Sequence, residues 1–169
     1  MSVCTKTGDS GMTDGPSGRV LKDSAFCEVV GTLDELNAAI GMAVGDLFNL
    51  EVGKHLIAIQ NQLLDIGAQL YTGKVYINDG DVQYLERLID QYEEPLEGFI
   101  IPEGRTSGTL HLARAIARRV ERQMLAATGP GVQIDHDTLK YINRLSDVLY
   151  ILAIHIGPVK PRYWNGTAA

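Results

Sequence analysis

The sequence predicts an all-α chain: a five-helix antiparallel bundle of the up-and-down kind, preceded by an extended N-terminal segment. Three observations predict it. Apolar residues recur at spacings of three and four in five separate stretches. Clusters of Gly, Pro, Asn and Asp punctuate the intervals between them. Residues 1–31 are rich in Gly, Thr, Ser and Asp and carry no apolar periodicity.

The first helix is expected to start at Thr32. Thr32-Leu33-Asp34-Glu35 fits a capping box, in which the Thr and Glu side chains each satisfy a free backbone N–H. It runs to about 46–49, with Leu36, Ile40 and Val44 on one face. The second covers 51–71, where Leu56, Ile59, Leu63, Ile66 and Leu70 line up. The third takes 81–94 with Val82, Leu85, Leu88, Ile89 and Tyr92 inward, and Pro95 stops it.

A connection over 95–106 leads to a fourth helix at 107–127, closed by Gly129-Pro130-Gly131. Its apolar stripe is read as Leu112, Ala113, Ile116, Val120 and Met124. The fifth covers 135–156, with Leu139, Ile142, Leu145, Leu149 and Leu152 inward, and Gly157-Pro158 closes it. The tail 159–169 is expected to be poorly ordered at its end. The whole is one domain of 169 residues: a segment 1–31, a bundle 32–157 and a tail 158–169.

Composition excludes several classes of function. A net charge of -6 argues against a general nucleic-acid binder, which needs excess cations to displace counterions from phosphate. Cys4 and Cys27 are too few for a disulfide framework and lack zinc-site spacing, which fits a reducing cytoplasm or an organelle matrix after processing, and a cytoplasmic protein is expected. No apolar run approaches the roughly 18 residues of a membrane span, and the N-terminus lacks the apolar core of a signal peptide. His55, His136 and His155 are scattered and read as surface or capping residues. Tyr163 and Trp164 either cover a subunit edge or stand exposed.

Two features point to chemistry. The fourth helix carries His111, Arg114, Arg118 and Glu121 on the face away from its core, with Arg119 at the edge and Arg122 one turn on. Four arginines within nine residues, with one acid and no lysine among them, repel one another unless something anionic lies against them. Arg suits planar recognition of phosphate, so a polyphosphate is one candidate. A carboxylate from another helix or subunit is the other. The second feature is the run Thr5-Lys6-Thr7-Gly8-Asp9-Ser10-Gly11-Met12-Thr13, continuing to Lys22. Glycines let backbone N–H groups approach an anion, and hydroxyls and lysines add donors. It is not a Walker A loop, and its composition is equally that of a flexible terminus.

Five blocks in one order resemble the PduO-type ATP:cob(I)alamin (corrinoid) adenosyltransferases. They are residues 5–13, Gly31-Thr32-Leu33-Asp34-Glu35-Leu36-Asn37, Phe99-Ile100-Ile101-Pro102, Leu110 through Arg122, and Tyr141-Ile142-Asn143-Arg144-Leu145-Ser146-Asp147. The resemblance implies a ferritin-like five-helix bundle, assembled as a homotrimer with sites between subunits. It implies transfer of the 5′-deoxyadenosyl group of ATP to the cobalt of cob(I)alamin, giving adenosylcobalamin and triphosphate, with Mg2+. A corrinoid reductase and an adenosylcobalamin-dependent enzyme are the further partners it implies.

Carried over, Thr5, Lys6, Thr7 and Gly8 match the nucleotide-binding segment, which Thr13 and Lys22 extend. Arg118, Arg119, Glu121 and Arg122 match the helix contribution, and Asn143 the fifth-helix contact. Asp34 and Arg114 match an ion pair across the subunit interface, and Phe99 an aromatic that displaces the lower axial ligand of cobalt. The resemblance implies catalytic roles for Asp34, Arg114, Phe99 and Arg118, and leaves metal ligands unknown. The chain departs from the pattern at Pro102-Glu103-Gly104, where the family commonly has Pro-Gly-Gly. Two other readings stay open: a carrier or sensor that has lost turnover, and a purely structural bundle protein.

Overall fold

The computed structural model describes residues 6–128 and 133–166. Among these residues five helices follow a short hairpin: α1 (Ala25–Gly45), α2 (Leu50–Thr72), α3 (Asp79–Tyr92), α4 (Arg105–Ala127) and α5 (His136–His155). The hairpin pairs β1 (Met12–Gly15) with β2 (Gly18–Leu21), antiparallel, with Gly15 opposite Gly18 across Pro16-Ser17. α4 packs on α1 and α5, α1 also packs on α2, and α5 on α3. The core is continuous, and Leu36, Leu56, Leu63, Leu85, Leu110, Tyr141 and Leu149 all sit inside it.

Four sequence expectations need correction. The first helix begins seven residues before Thr32, at Ala25, capped by the Ser24 hydroxyl, which accepts from the Cys27 N–H at 3.4 Å. Phe26, Val29, Leu33, Leu36 and Ile40 continue one buried stripe, which extends the helix backward. Thr32 therefore lies inside it, buried, and its hydroxyl donates to the Glu28 carbonyl at 2.7 Å. The segment read as unstructured contains the β-hairpin, whose Gly-Pro-Ser-Gly turn carries the one strong local signal.

Leu112 is the third correction. It is 57 % exposed, and the buried positions of α4 are Leu110, Ala113, Ile116, Ala117, Val120 and Met124. Leu112 lies about 100° around the helix from Ala113, which takes it off the core stripe. His55 is also not a surface residue. It is half-buried, with Nδ1 2.7 Å from the Tyr84 hydroxyl.

The remaining boundaries match the expected ones closely. Asn78 caps α3 in a reciprocal capping box with Asp81. Asp135 caps α5, accepting from the Thr138 N–H at 3.0 Å, and also accepts from Gln69 of α2. Burial pushes the Asp135 carboxyl up, but the Thr138 and Gln69 hydrogen bonds outweigh it and hold the group below its ordinary value. The Gly129-Pro130-Gly131 stop lies outside the described residues. Among the described residues no helix is long and apolar enough to cross a membrane.

Candidate functional site

The N-terminal segment is held by one arginine that sequence reasoning missed. Arg19, on β2, donates through Nη2 to the carbonyls of Thr7 and Met12, the latter at 3.0 Å, and pairs through Nη1 with Asp14 at 3.1 Å. Arg19 is the only arginine in residues 1–31, and the hairpin register sets it opposite Asp14. The Gly11 N–H donates to the Gly8 carbonyl at 3.2 Å, and the Lys22 N–H to the Gly11 carbonyl at 3.0 Å.

This folding brings Lys22 back over Gly8. A Cβ at position 8 would stand 2.9 Å from Lys22 Nζ, so the glycine leaves room for the ammonium. Lys6 takes a φ of 59°, in the left-handed region that few non-glycine residues adopt, which marks this turn as locally strained. Lys6, Thr7 and Lys22 are exposed, and Thr13 is half-buried on β1 opposite Val20. Thr5 lies outside the described residues.

On α4 the arginines separate by partner. The Arg114 guanidinium lies 5.0 Å from the centroid of the Tyr150 ring, a cation–π contact. His111 meets the same ring at 5.6 Å. Burial, and then the Arg114 charge, push the His111 imidazole below its ordinary value, so it adds no cation near pH 7. Arg119 reaches across to Glu35 of α1. Arg122 donates through Nη1 to the Arg118 carbonyl at 2.9 Å.

Arg118 is different. It is exposed, and among the described residues its guanidinium has no partner. The alternatives left open by the sequence thus divide. An acid from another helix answers Arg119, an aromatic face answers Arg114, and a cation facing solvent remains at Arg118.

α5 completes this face. Asn143 Nδ2 donates to Glu121 Oε1 at 3.0 Å, and Arg144 Nη1 donates to Asn143 Oδ1 at 3.0 Å. Arg144 is itself anchored on Glu86 of α3 at 3.1 Å. Tyr150 also borders a cavity of about 260 Å³ between α3 and α5, lined by Tyr92, Leu96 and Ile154. Sequence reasoning missed Tyr150, Glu35 and Glu86. Glu35 was read as a capping residue, and its true role required knowing that α1 packs on α4.

Asp34 is exposed on α1, and among the described residues it makes no ion pair within the chain. Its charge is one cause, after burial and Cys27, of the raised Tyr71 hydroxyl on α2. Asp34 and Arg114 are therefore not paired in one chain. Phe99 is 75 % exposed on the connection before α4, where its ring meets Trp164 edge to face at 6.4 Å. Exposed apolar residues also stand on the helices: Met42 on α1, Ile57 and Leu64 on α2, and Leu112 and Leu125 on α4.

Comparison with known proteins follows the same lines. The cobalamin adenosyltransferase family model matches residues 3–156. A corrinoid adenosyltransferase of Bacillus subtilis is 39% identical over 165 residues, covering 90% of this chain and 85% of the relative. The mouse corrinoid adenosyltransferase MMAB is 38% identical over 172 residues, covering 89% of this chain and 70% of the relative. Among solved structures, a Phe-to-His variant of a PduO-type ATP:corrinoid adenosyltransferase from Lactobacillus reuteri, complexed with cobalamin and ATP, superposes with a TM-score of 0.82. It is 30% identical and covers 91% of this chain and 90% of its own. The helical bundle, the order of the motifs and these matches together show that the chain belongs to the cobalamin adenosyltransferase family, a family of corrinoid adenosyltransferase enzymes.

Proposed function

We propose that this chain transfers the 5′-deoxyadenosyl group of ATP to the cobalt of cob(I)alamin at sites between the subunits of a homotrimer. The observation that carries this reading is Arg118, unpartnered among the described residues, on a face whose other arginines are engaged. A solvent-facing guanidinium among fixed neighbours is placed for an anion, and the leaving triphosphate supplies one. The N-terminal segment, with Lys6, Thr7, Gly8, Thr13 and Lys22, and with Thr5 ahead of it, contributes the other half of the phosphate cradle.

The nucleophile is the cobalt electron pair. It attacks C5′ of the ribose, the Co–C bond forms, and the C5′–O bond breaks with its electrons leaving on triphosphate. The protein therefore needs no Ser, Cys or His nucleophile. Its work is orientation and stabilisation of charge on the departing oxygens. Arg118 meets that charge directly, Arg119 and Arg122 raise the local potential, and Asn143 fixes the Glu121 carboxylate beside them.

Mg2+ belongs to the proposal as well. Among the described residues no group of three His, Cys, Asp or Glu side chains is placed to hold a metal. A Mg2+ here would be carried mainly by phosphate and water oxygens, and Glu121 is the carboxylate that α4 itself offers beside the arginines. When bound, Mg2+ would spread the negative charge of the triphosphate.

Exposed apolar side chains support assembly. Leu112, Leu125 and Met42 present apolar surface on two helices, which a subunit interface would cover. Asp34 would then answer Arg114 of a neighbouring subunit, and Phe99 would wall the lower face of the corrin and favour its four-coordinate form. A cytoplasmic location is part of the same reading.

The test is the absorbance change as cob(I)alamin becomes adenosylcobalamin with ATP and Mg2+, with triphosphate released in equal amount. Binding of both substrates without turnover would instead favour a carrier. In the same assay, Asp34→Asn is expected to raise the KM for corrinoid about tenfold or more while leaving that for ATP within about twofold. Equal losses for both substrates would contradict the role given to Asp34.

A further inference from the structure

Residues 158–166 run back across the connection that carries Phe99. The Trp164 N–H donates to the Phe99 carbonyl at 2.8 Å, and the Ile101 N–H donates to the Arg162 carbonyl at 2.8 Å. Ile100 and Tyr163 form the antiparallel bridge between these two bonds. Side chains close the same junction on either side. Arg162 Nε pairs with Glu103 Oε2 at 2.9 Å, and the Trp164 ring stands against the Phe99 ring.

Phe99 needs such support. Its ring is mostly exposed, and it sits on a connection between α3 and α4 that has no helix of its own. Among the described residues, the pairing with the C-terminal segment is the only backbone hydrogen bonding that ties residues 95–103 to another part of the chain. Glu103, at the stem of the connection, supplies the acid that engages Arg162.

We infer that the C-terminal strap is a positioning element for Phe99, with Arg162, Glu103 and Trp164 fixing how the ring meets the corrinoid. This rests on the proposed role of Phe99 in removing the lower ligand of cobalt. The strap has two independent contacts with the connection. The ion pair fixes the stem of the connection at Glu103, and Trp164 fixes both the carbonyl and the ring of Phe99. An exposed ion pair adds little to global stability. Its effect is expected in placement, where small displacements of a positioned group carry large rate penalties.

The experiment uses the full chain with ATP and cob(II)alamin, and reads the four-coordinate fraction of cob(II)alamin by electron paramagnetic resonance. ATP affinity and thermal stability serve as controls. Glu103→Arg and Arg162→Glu alone are each expected to lower the four-coordinate fraction and the turnover from cob(II)alamin about tenfold. The double reversal, Glu103→Arg with Arg162→Glu, is expected to restore both to within about twofold, because the pair is remade with its charges exchanged. Trp164→Ala is expected to lower the same fraction, and Trp164→Phe to recover most of it.

An unchanged four-coordinate fraction in the single reversals and in Trp164→Ala would overturn the inference while leaving the adenosyltransferase reading intact. So would a loss in the single reversals that the double fails to restore. A wild-type protein that forms no four-coordinate species, and that is indifferent to Phe99→Ala, would overturn the role of Phe99 itself and the strap with it.

Discussion

Arg118→Ala is expected to lower adenosyl transfer by about 100- to 1000-fold in kcat, the range for removing one preorganised donor from a developing oxyanion. Arg118 is the guanidinium on α4 without a partner among the described residues, so its removal breaks no hydrogen bond or ion pair of its side chain among them. Stability should therefore change little, and the loss should appear as chemistry. Arg119→Ala gives the contrast. It breaks the link to Glu35, and its effect should include weaker packing of α1 on α4. Steady-state kinetics of both variants, with melting temperatures alongside, checks this. An Arg118→Ala protein with wild-type kcat would remove the main support for a triphosphate leaving group at this face.

Phe99→His is expected to act on a different step. An imidazole is a good ligand for cobalt, and a histidine at this exposed position would stabilise the ligated form of the corrinoid, which the proposed role of Phe99 is to disfavour. Turnover starting from cob(II)alamin with a reductant is expected to fall about 100-fold, which corresponds to about 2.7 kcal/mol. Turnover from chemically pre-reduced cob(I)alamin should fall much less, because that route bypasses the difficult reduction. Rates measured by both routes decide the matter. Equal losses by the two routes would place Phe99 in general corrinoid binding instead.

The bundle was legible in the sequence because its helices are amphipathic and their ends carry local chemistry. Leu56, Ile59, Leu63, Ile66 and Leu70 are all buried along α2, as their spacing requires. The start of α1 was not legible. Thr32-Leu33-Asp34-Glu35 satisfies a capping pattern by residue type, but Thr32 is buried inside a stripe that begins at Phe26, and tertiary packing overrides the local signal. Leu112 was misplaced for a related reason, since a stripe drawn one residue off the core face still contains Ala113, Ile116 and Val120.

The candidate site was legible as a set of residues and not as a geometry. Nothing in the spacing of the four arginines says that Tyr150 holds Arg114, that Glu35 takes Arg119, or that Arg118 is left open. Each of those depends on which helix lies beside α4. Arg19 and the strap around Phe99 were invisible for the same reason. Their partners are set by a hairpin and by a tail whose pairing carries no periodic signal.

On the proposed function, an N-terminal segment of one subunit and the Arg face of another make one triphosphate site. Mixed assemblies of two inactive variants test it most directly. Lys6→Ala disables the segment, and Arg118→Ala disables the helix face. Co-expressed with different tags and isolated as mixed trimers, the pair is expected to regain about a third of wild-type adenosylcobalamin formation, because every mixed trimer has one interface in about three that joins an intact segment to an intact helix face. Mixed oligomers no more active than either variant alone would place both halves of the site in one chain and contradict the account.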